Sequence, residues 1–88
     1  MMYIAQLTHQ AERDVTLLAQ SVATRILDRV EWLALHADEI IHRRLKGEQW
    51  GKAYKLRVGD YRVIYQLDRR HRMLMVLKIG HRREVYKG

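Results

Sequence analysis

The sequence predicts an α+β domain with the element order β-α-α-β-β-β. Between Thr8 and Ala34 the apolar residues recur at helical spacing, and from Tyr54 onward they alternate or run together as in strands. The two patterns follow one another instead of interleaving, which favours helices packed on an antiparallel sheet over a parallel α/β fold. A length of 88 residues leaves room for one core, so residues 1–88 are read as a single domain. The expected architecture is an N-terminal strand and a helical hairpin packed on a C-terminal antiparallel meander.

Met1–Leu7 reads as the first strand, with Tyr3, Ala5 and Leu7 on one side and Ile4 and Gln6 on the other. Thr8 is the expected N-cap of the first helix, because its hydroxyl can accept an otherwise unpaired backbone N–H. Ala11, Val15, Leu18 and Val22 then form an apolar stripe, while Glu12, Arg13 and Asp14 face water. Ser21 is the expected cap of a second helix. Its apolar face is Val22, Ile26, Val30, Leu33 and Ala34, flanked by Leu27. Residues 36–51 carry no regular period. Ile40 and Ile41 are expected at the core edge, Gly47 and Gly51 in a loop, and Trp50 capping the core.

Ala53–Asp68 (AYKLRVGDYRVIYQLD) reads as a β-hairpin. If Gly59-Asp60 is a two-residue loop, Val58 faces Tyr61 and the register continues outward from there. Tyr54, Leu56, Val58, Tyr61, Val63 and Tyr65 then share a core face. Lys55, Arg57, Arg62, Ile64 and Gln66 share the other. That second face sets Arg57 directly across from Arg62, with Cβ atoms roughly 5 Å apart, where like charges destabilise a sheet. The pairing predicts an anion site. Arg69-Arg70-His71-Arg72 is a basic turn. Met73–Ile79, apolar apart from Lys78, suits a central strand covered on both sides.

Charge is unevenly placed along the chain. Residues 1–42 carry three arginines against six carboxylates, a net of −3; residues 43–88 carry fourteen basic residues against four carboxylates, a net of +10; together they make the chain's +7. A half-domain this basic points to a polyanionic partner, of which nucleic acid is the commonest. With no cysteine, the chain has neither disulfides nor thiolate chemistry. His9, His36, His42 and His71 show no ligand spacing and are read as surface or loop residues, so neither a metal nor a cofactor is expected. No apolar run approaches the length of a membrane helix, and the N-terminus lacks a signal-peptide pattern, so a cytoplasmic protein is expected.

Four segments in order resemble the RelE/ParE superfamily of bacterial type II toxins. They are A-E-R-D-V (Ala11 to Val15), R-L-K-G (Arg44 to Gly47), Y-K-L-R-V-G-D-Y-R-V-I-Y (Tyr54 to Tyr65) and I-G-H-R-R-E-V-Y (Ile79 to Tyr86). The resemblance spans nearly the whole chain and implies the RelE/ParE-like fold. It also implies a cognate antitoxin in a hetero-oligomeric complex, and contact with operator DNA only indirectly, through that antitoxin. RelE-like members cut mRNA on the ribosome without a metal, by attack of the ribose 2′-OH on the neighbouring phosphate. ParE-like members inhibit DNA gyrase and are not nucleases.

Cleavage by an internal hydroxyl needs a base, positive charge for the developing phosphorane and a donor for the leaving oxygen. By resemblance, Arg62 matches the strand arginine that contacts the scissile phosphate. Arg82 matches the arginine after the last strand that stabilises the transition state or donates a proton, and Tyr86 the C-terminal tyrosine that stacks on or activates the nucleotide. Lys55 assists the base. Lys52, Arg57, His81 and Arg83 complete the expected RNA-binding set. The RelE pattern has two lysines spaced by two on this strand, and Ala53 stands at one of the two positions. Lys52 replaces it only if the strand begins differently. The expected function is therefore that of a ribosome-dependent mRNA endonuclease, with gyrase inhibition as the alternative.

Overall fold

The computed structural model describes residues 2–86; Met1, included in the expected first strand, lies outside the described residues. Strand β1 (Ile4–Leu7) leads into helices α1 (His9–Thr16) and α2 (Gln20–Leu35). A two-residue strand β2 (Arg43–Arg44) and a 3₁₀ turn over Glu48–Trp50 follow. The meander is β3 (Tyr54–Val58), β4 (Tyr61–Asp68) and β5 (Met73–His81). The strands form one mixed five-stranded sheet in the order β1-β5-β4-β3-β2. β1 runs parallel to β5 and every other pair is antiparallel. β5 thus lies inside the sheet, as its apolar run requires. The expected α+β class holds, with β2 as an added edge strand in the segment read as irregular.

Both helices cover one face. Ile26, Val30, Leu33 and Ala34 of α2 and Ala11 of α1 pack on Val58, Val63, Tyr65, Leu74, Val76 and Ile79, all buried. The apolar stripe read for α2 is the stripe that is buried. Thr8 caps α1 as expected, its Oγ1 accepting the Ala11 N–H at 3.2 Å. α2 differs: it begins at Gln20 behind Ala19, which offers no side-chain cap, and Ser21 lies inside the helix. Ile41 also departs from expectation, being 92% exposed, while Ile40 packs on the core.

A β-bulge in β5 and the end of β1 leave backbone groups of β5 to α1. Tyr65 pairs with Val76 and Ile64 with Lys78, so Leu77 has no partner across the ladder. β1 pairs with β5 only as far as Leu7 and Val76, and backbone groups of β5 beyond that point are taken up by the α1 end of the molecule. Thr8 Oγ1 donates to the Leu77 carbonyl at 3.0 Å, and Asp14 Oδ2 accepts the Ile79 N–H at 2.9 Å. Asp14, expected to face water, is half-buried for this reason.

His42 is likewise a structural residue and not a surface one. Its Nε2 lies 2.7 Å from the Ala37 carbonyl, which can only accept, so Nε2 donates. Nδ1, 2.6 Å from the Tyr65 hydroxyl, accepts from it in the neutral ring. Tyr65→Phe would leave Nδ1 without its partner and is expected to cost about 1–3 kcal/mol in urea denaturation. Burial, with a smaller contribution from Tyr54, pushes the Tyr65 phenol well above its ordinary value. A raised value means that this contribution is fully present below the unfolded-state pKa of about 10 and is lost as pH rises above it. The urea midpoint of Tyr65→Phe should therefore fall less steeply above that pH than that of the parent.

Candidate anion site

The hairpin register places the basic residues. Gly59 takes φ 59° at the first position of a two-residue turn, a conformation in which glycine avoids the usual steric cost. Val58 therefore faces Tyr61, and Arg57 faces Arg62, as the sequence predicts. β5 completes two rows on the face away from the helices. One is Arg57–Arg62–Gly80; the other is Arg43–Lys55–Ile64–Lys78.

Arg43, Lys55, Arg57 and Arg62 line a pocket of about 380 Å³, with no carboxylate in its wall among the described residues. Arg62 is half-buried, and its Nη1 donates to the carbonyls of Gly59 at 2.8 Å and Tyr61 at 2.9 Å. Those bonds draw the guanidinium towards the turn. Arg43 was not singled out from the sequence. Its alternation with Arg44 beside Lys55 and Tyr54 was the available signal, but a two-residue strand is too short to show a period.

A second pocket of about 320 Å³ shares Lys55 with the first and is lined by Leu45, Lys46, Gln49, Trp50 and Tyr86. Its floor is a small apolar cluster that sequence reasoning missed. Leu45, Ala53, Ile64 and Val85 are buried together there, with Trp50 and Leu77 against them. Val85 anchors the chain's end, its N–H donating to the His81 carbonyl at 2.9 Å. Tyr86 consequently meets Trp50 edge to face, ring centroids 6.5 Å apart. A Cβ on Gly80 would lie 3.4 Å from the Val85 Cβ. Gly80→Val is therefore expected to displace Val85 and cost about 1–3 kcal/mol in urea denaturation. Gly80→Ala should do much less.

The other expected residues are distributed around this centre. Arg82 sits beside the hairpin turn, its N–H donating to the Asp60 carbonyl at 2.7 Å and its Nε 3.9 Å from the Asp60 carboxylate. Arg83 is exposed and lines neither pocket. His81 pairs with Tyr61, and their rings meet edge to face at 5.7 Å on the helix-covered side of the sheet. It is therefore on the opposite face from Arg57 and Arg62, because it shares the parity of Ile79. Ala53 is fully buried, and Lys52 lines neither pocket. The strand begins at Tyr54, so Lys52 does not take the place of the absent lysine.

Comparison with known proteins identifies the family and the fold. The sequence profile described as the ParE toxin of the type II toxin–antitoxin system parDE matches residues 5–86. No curated protein sequence is significantly similar. Among solved structures, the RelBE2 toxin–antitoxin complex of Mycobacterium tuberculosis matches with a TM-score of 0.82 at 22% identity, over 92% of each chain. The RelBE complex of E. coli matches at 0.73 and 20% identity, over 90% of this chain and 95% of that one. The chromosomal ParDE system of P. aeruginosa matches at 0.73 and 14% identity, over 91% and 96%. The chain belongs to the RelE/ParE family and is a toxin of a type II toxin–antitoxin system.

Proposed function

We propose that this toxin is a ribosome-dependent mRNA endonuclease of the RelE kind. The observation that carries this reading is the pocket walled by Arg43, Lys55, Arg57 and Arg62, joined through Lys55 to the Trp50–Tyr86 pocket. Arginine forks match the oxygens of a phosphodiester, and the half-apolar neighbour accepts a nucleobase. In this reading the 2′ oxygen attacks the adjacent phosphorus and passes its proton to water, with Lys55 beside it stabilising the negative charge that develops. Arg57 and Arg62 hold the phosphorane oxygens. The bond to the 5′ oxygen breaks, Arg82 hydrogen-bonds the departing oxygen, and that oxygen gains a proton from water. The products are a cyclic phosphate and a 5′-OH. Tyr86 and Trp50 seat the base beside the reacting ribose.

The antitoxin is the expected partner, since the structural relatives named above include toxin–antitoxin complexes. Its acidic or apolar segment would neutralise the basic face, and operator DNA would be reached through the antitoxin alone. The ribosome and its mRNA place the activity in the cytoplasm.

A second reading is gyrase inhibition without nuclease activity. It is favoured by the ParE profile match and by Ala53 standing where the RelE pattern has a lysine. The two separate in one experiment, in which purified toxin is added to translating ribosomes and, in parallel, to gyrase with plasmid DNA. Cut mRNA bearing a new 5′-OH end supports the endonuclease. Intact mRNA together with trapped gyrase–DNA complexes would overturn it.

A further inference from the structure

The edge strand β2 divides its two arginines between two faces of the sheet. Arg43 pairs with Lys55 and enters the pocket described above; Arg44 pairs with Tyr54 and lies on the helix-side face. There, beyond the cover of the helices, a groove of about 630 Å³ is lined by Arg44, Lys52, Arg69, Arg70, Tyr54 and Asp68, with Leu67 at its base. Arg44 and Lys52 come from the ends of the segment before β3, and Arg69 and Arg70 from the turn between β4 and β5. Four cations from separate parts of the chain thus face one open space.

None of these four cations makes an ion pair among the described residues. The one carboxylate in the groove, that of Asp68, is already engaged by His71. It accepts the His71 backbone N–H at 3.0 Å and lies 2.8 Å from the ring Nδ1. Tyr54, which shares the groove wall, raises the Arg69 guanidinium above its ordinary value by hydrogen bonding, so Arg69 stays charged. Like charges gathered without counter-charges repel one another, and the arrangement gains stability only from an anion.

The geometry points to this groove as a second phosphate-binding site, which holds the backbone of a single RNA strand running over the β2 edge from the first pocket. Arg43 and Arg44 are consecutive residues, with Cα atoms about 3.8 Å apart. They connect the two sets of cations across the two-residue edge strand. A strand that crosses there must turn sharply from one face to the other. A duplex, stiff over on the order of 150 base pairs in the DNA case, cannot follow that path, whereas a single strand can. The groove would then hold nucleotides flanking those in the first pocket and set the direction in which the strand lies. Lys52, absent from the first pocket, acquires its contact here.

This inference concerns binding and does not require cleavage, so it is tested on RNA whose 2′-hydroxyls are methylated and cannot attack. Full-length toxin is titrated with such an oligonucleotide by fluorescence anisotropy over a range of salt. Lys52→Ala/Arg70→Ala removes two exposed cations. It is expected to weaken binding of a long strand several-fold and to reduce the salt slope by about 1.4, the value for two lost phosphate contacts on a single strand. Binding of a dinucleotide, confined to the first pocket, should not change. Adding Arg69→Ala should enlarge the loss, while a melting curve monitors the fold. Unchanged affinity and slope for the long strand would overturn the site. So would a loss seen only with an RNA duplex, or only with an acidic peptide such as polyglutamate. Failure of ribosomal cleavage would leave the binding result standing, so the two proposals fail separately.

Discussion

Arg62→Ala is expected to lower mRNA cleavage on the ribosome by on the order of 10²–10³, the usual cost of removing one preorganised donor to a developing anion. The side chain is half-buried beside Arg57 and drawn to the turn by two carbonyl contacts, so its position is largely set before a substrate arrives. One contact is exposed and the other only partly buried, so the change in folding stability should stay within about 1.5 kcal/mol. Arg62→Lys should recover only part of the activity, since an ammonium cannot span two phosphoryl oxygens. Arg82→Ala is expected to act in the same direction through the leaving oxygen. Product formation, a melting curve and toxicity on expression together check the result. An Arg62→Ala protein that folds and cleaves at the parent rate would count against the proposed site.

The largest effect on stability is expected from Ile64→Ala, at about 2–5 kcal/mol by urea denaturation. Ile64 is fully buried although it lies on the basic face, with Leu45, Ala53 and Val85 around it and Trp50 and Leu77 beside them. Truncation would open a cavity under the segment that carries Trp50 and under the tail that carries Tyr86. Unlike Arg62→Ala, this change should therefore reduce stability and cleavage together. A small domain has only about 5–15 kcal/mol to lose, so the variant should remain folded but melt well below the parent. Ile64→Val, which removes a single methyl, should cost about 0.5–1.5 kcal/mol and preserve activity.

Much of the candidate site was legible in the chain. The Gly59-Asp60 turn determines the register by loop length, and register with a period of two determines faces, so Arg57 opposite Arg62 required no coordinates. The same reasoning placed Ile64 on the basic face, although the apolar cluster that buries it was not foreseen. His81 could have been assigned to the helix side from its parity with Ile79. Ser21 was misplaced as a cap because the chain between the two helices is so short that α2 starts at Gln20 without a capping side chain.

What the sequence determined by itself is what short-range physics controls: the fold class, the stripes of α1 and α2, the hairpin and its row of facing arginines. Only the tertiary structure decided which distant residues share a space. Arg43 joins Lys55, and Arg44 joins Arg69 and Arg70, because a two-residue edge strand has side chains on both faces. Asp14 accepts a backbone N–H of β5, 65 residues away in the chain. Val85 closes an apolar cluster that seats Tyr86 beside Trp50. Each of these contacts depends on how a sheet edge, a bulge and a chain end meet in space, and periodicity along the chain carries no record of that.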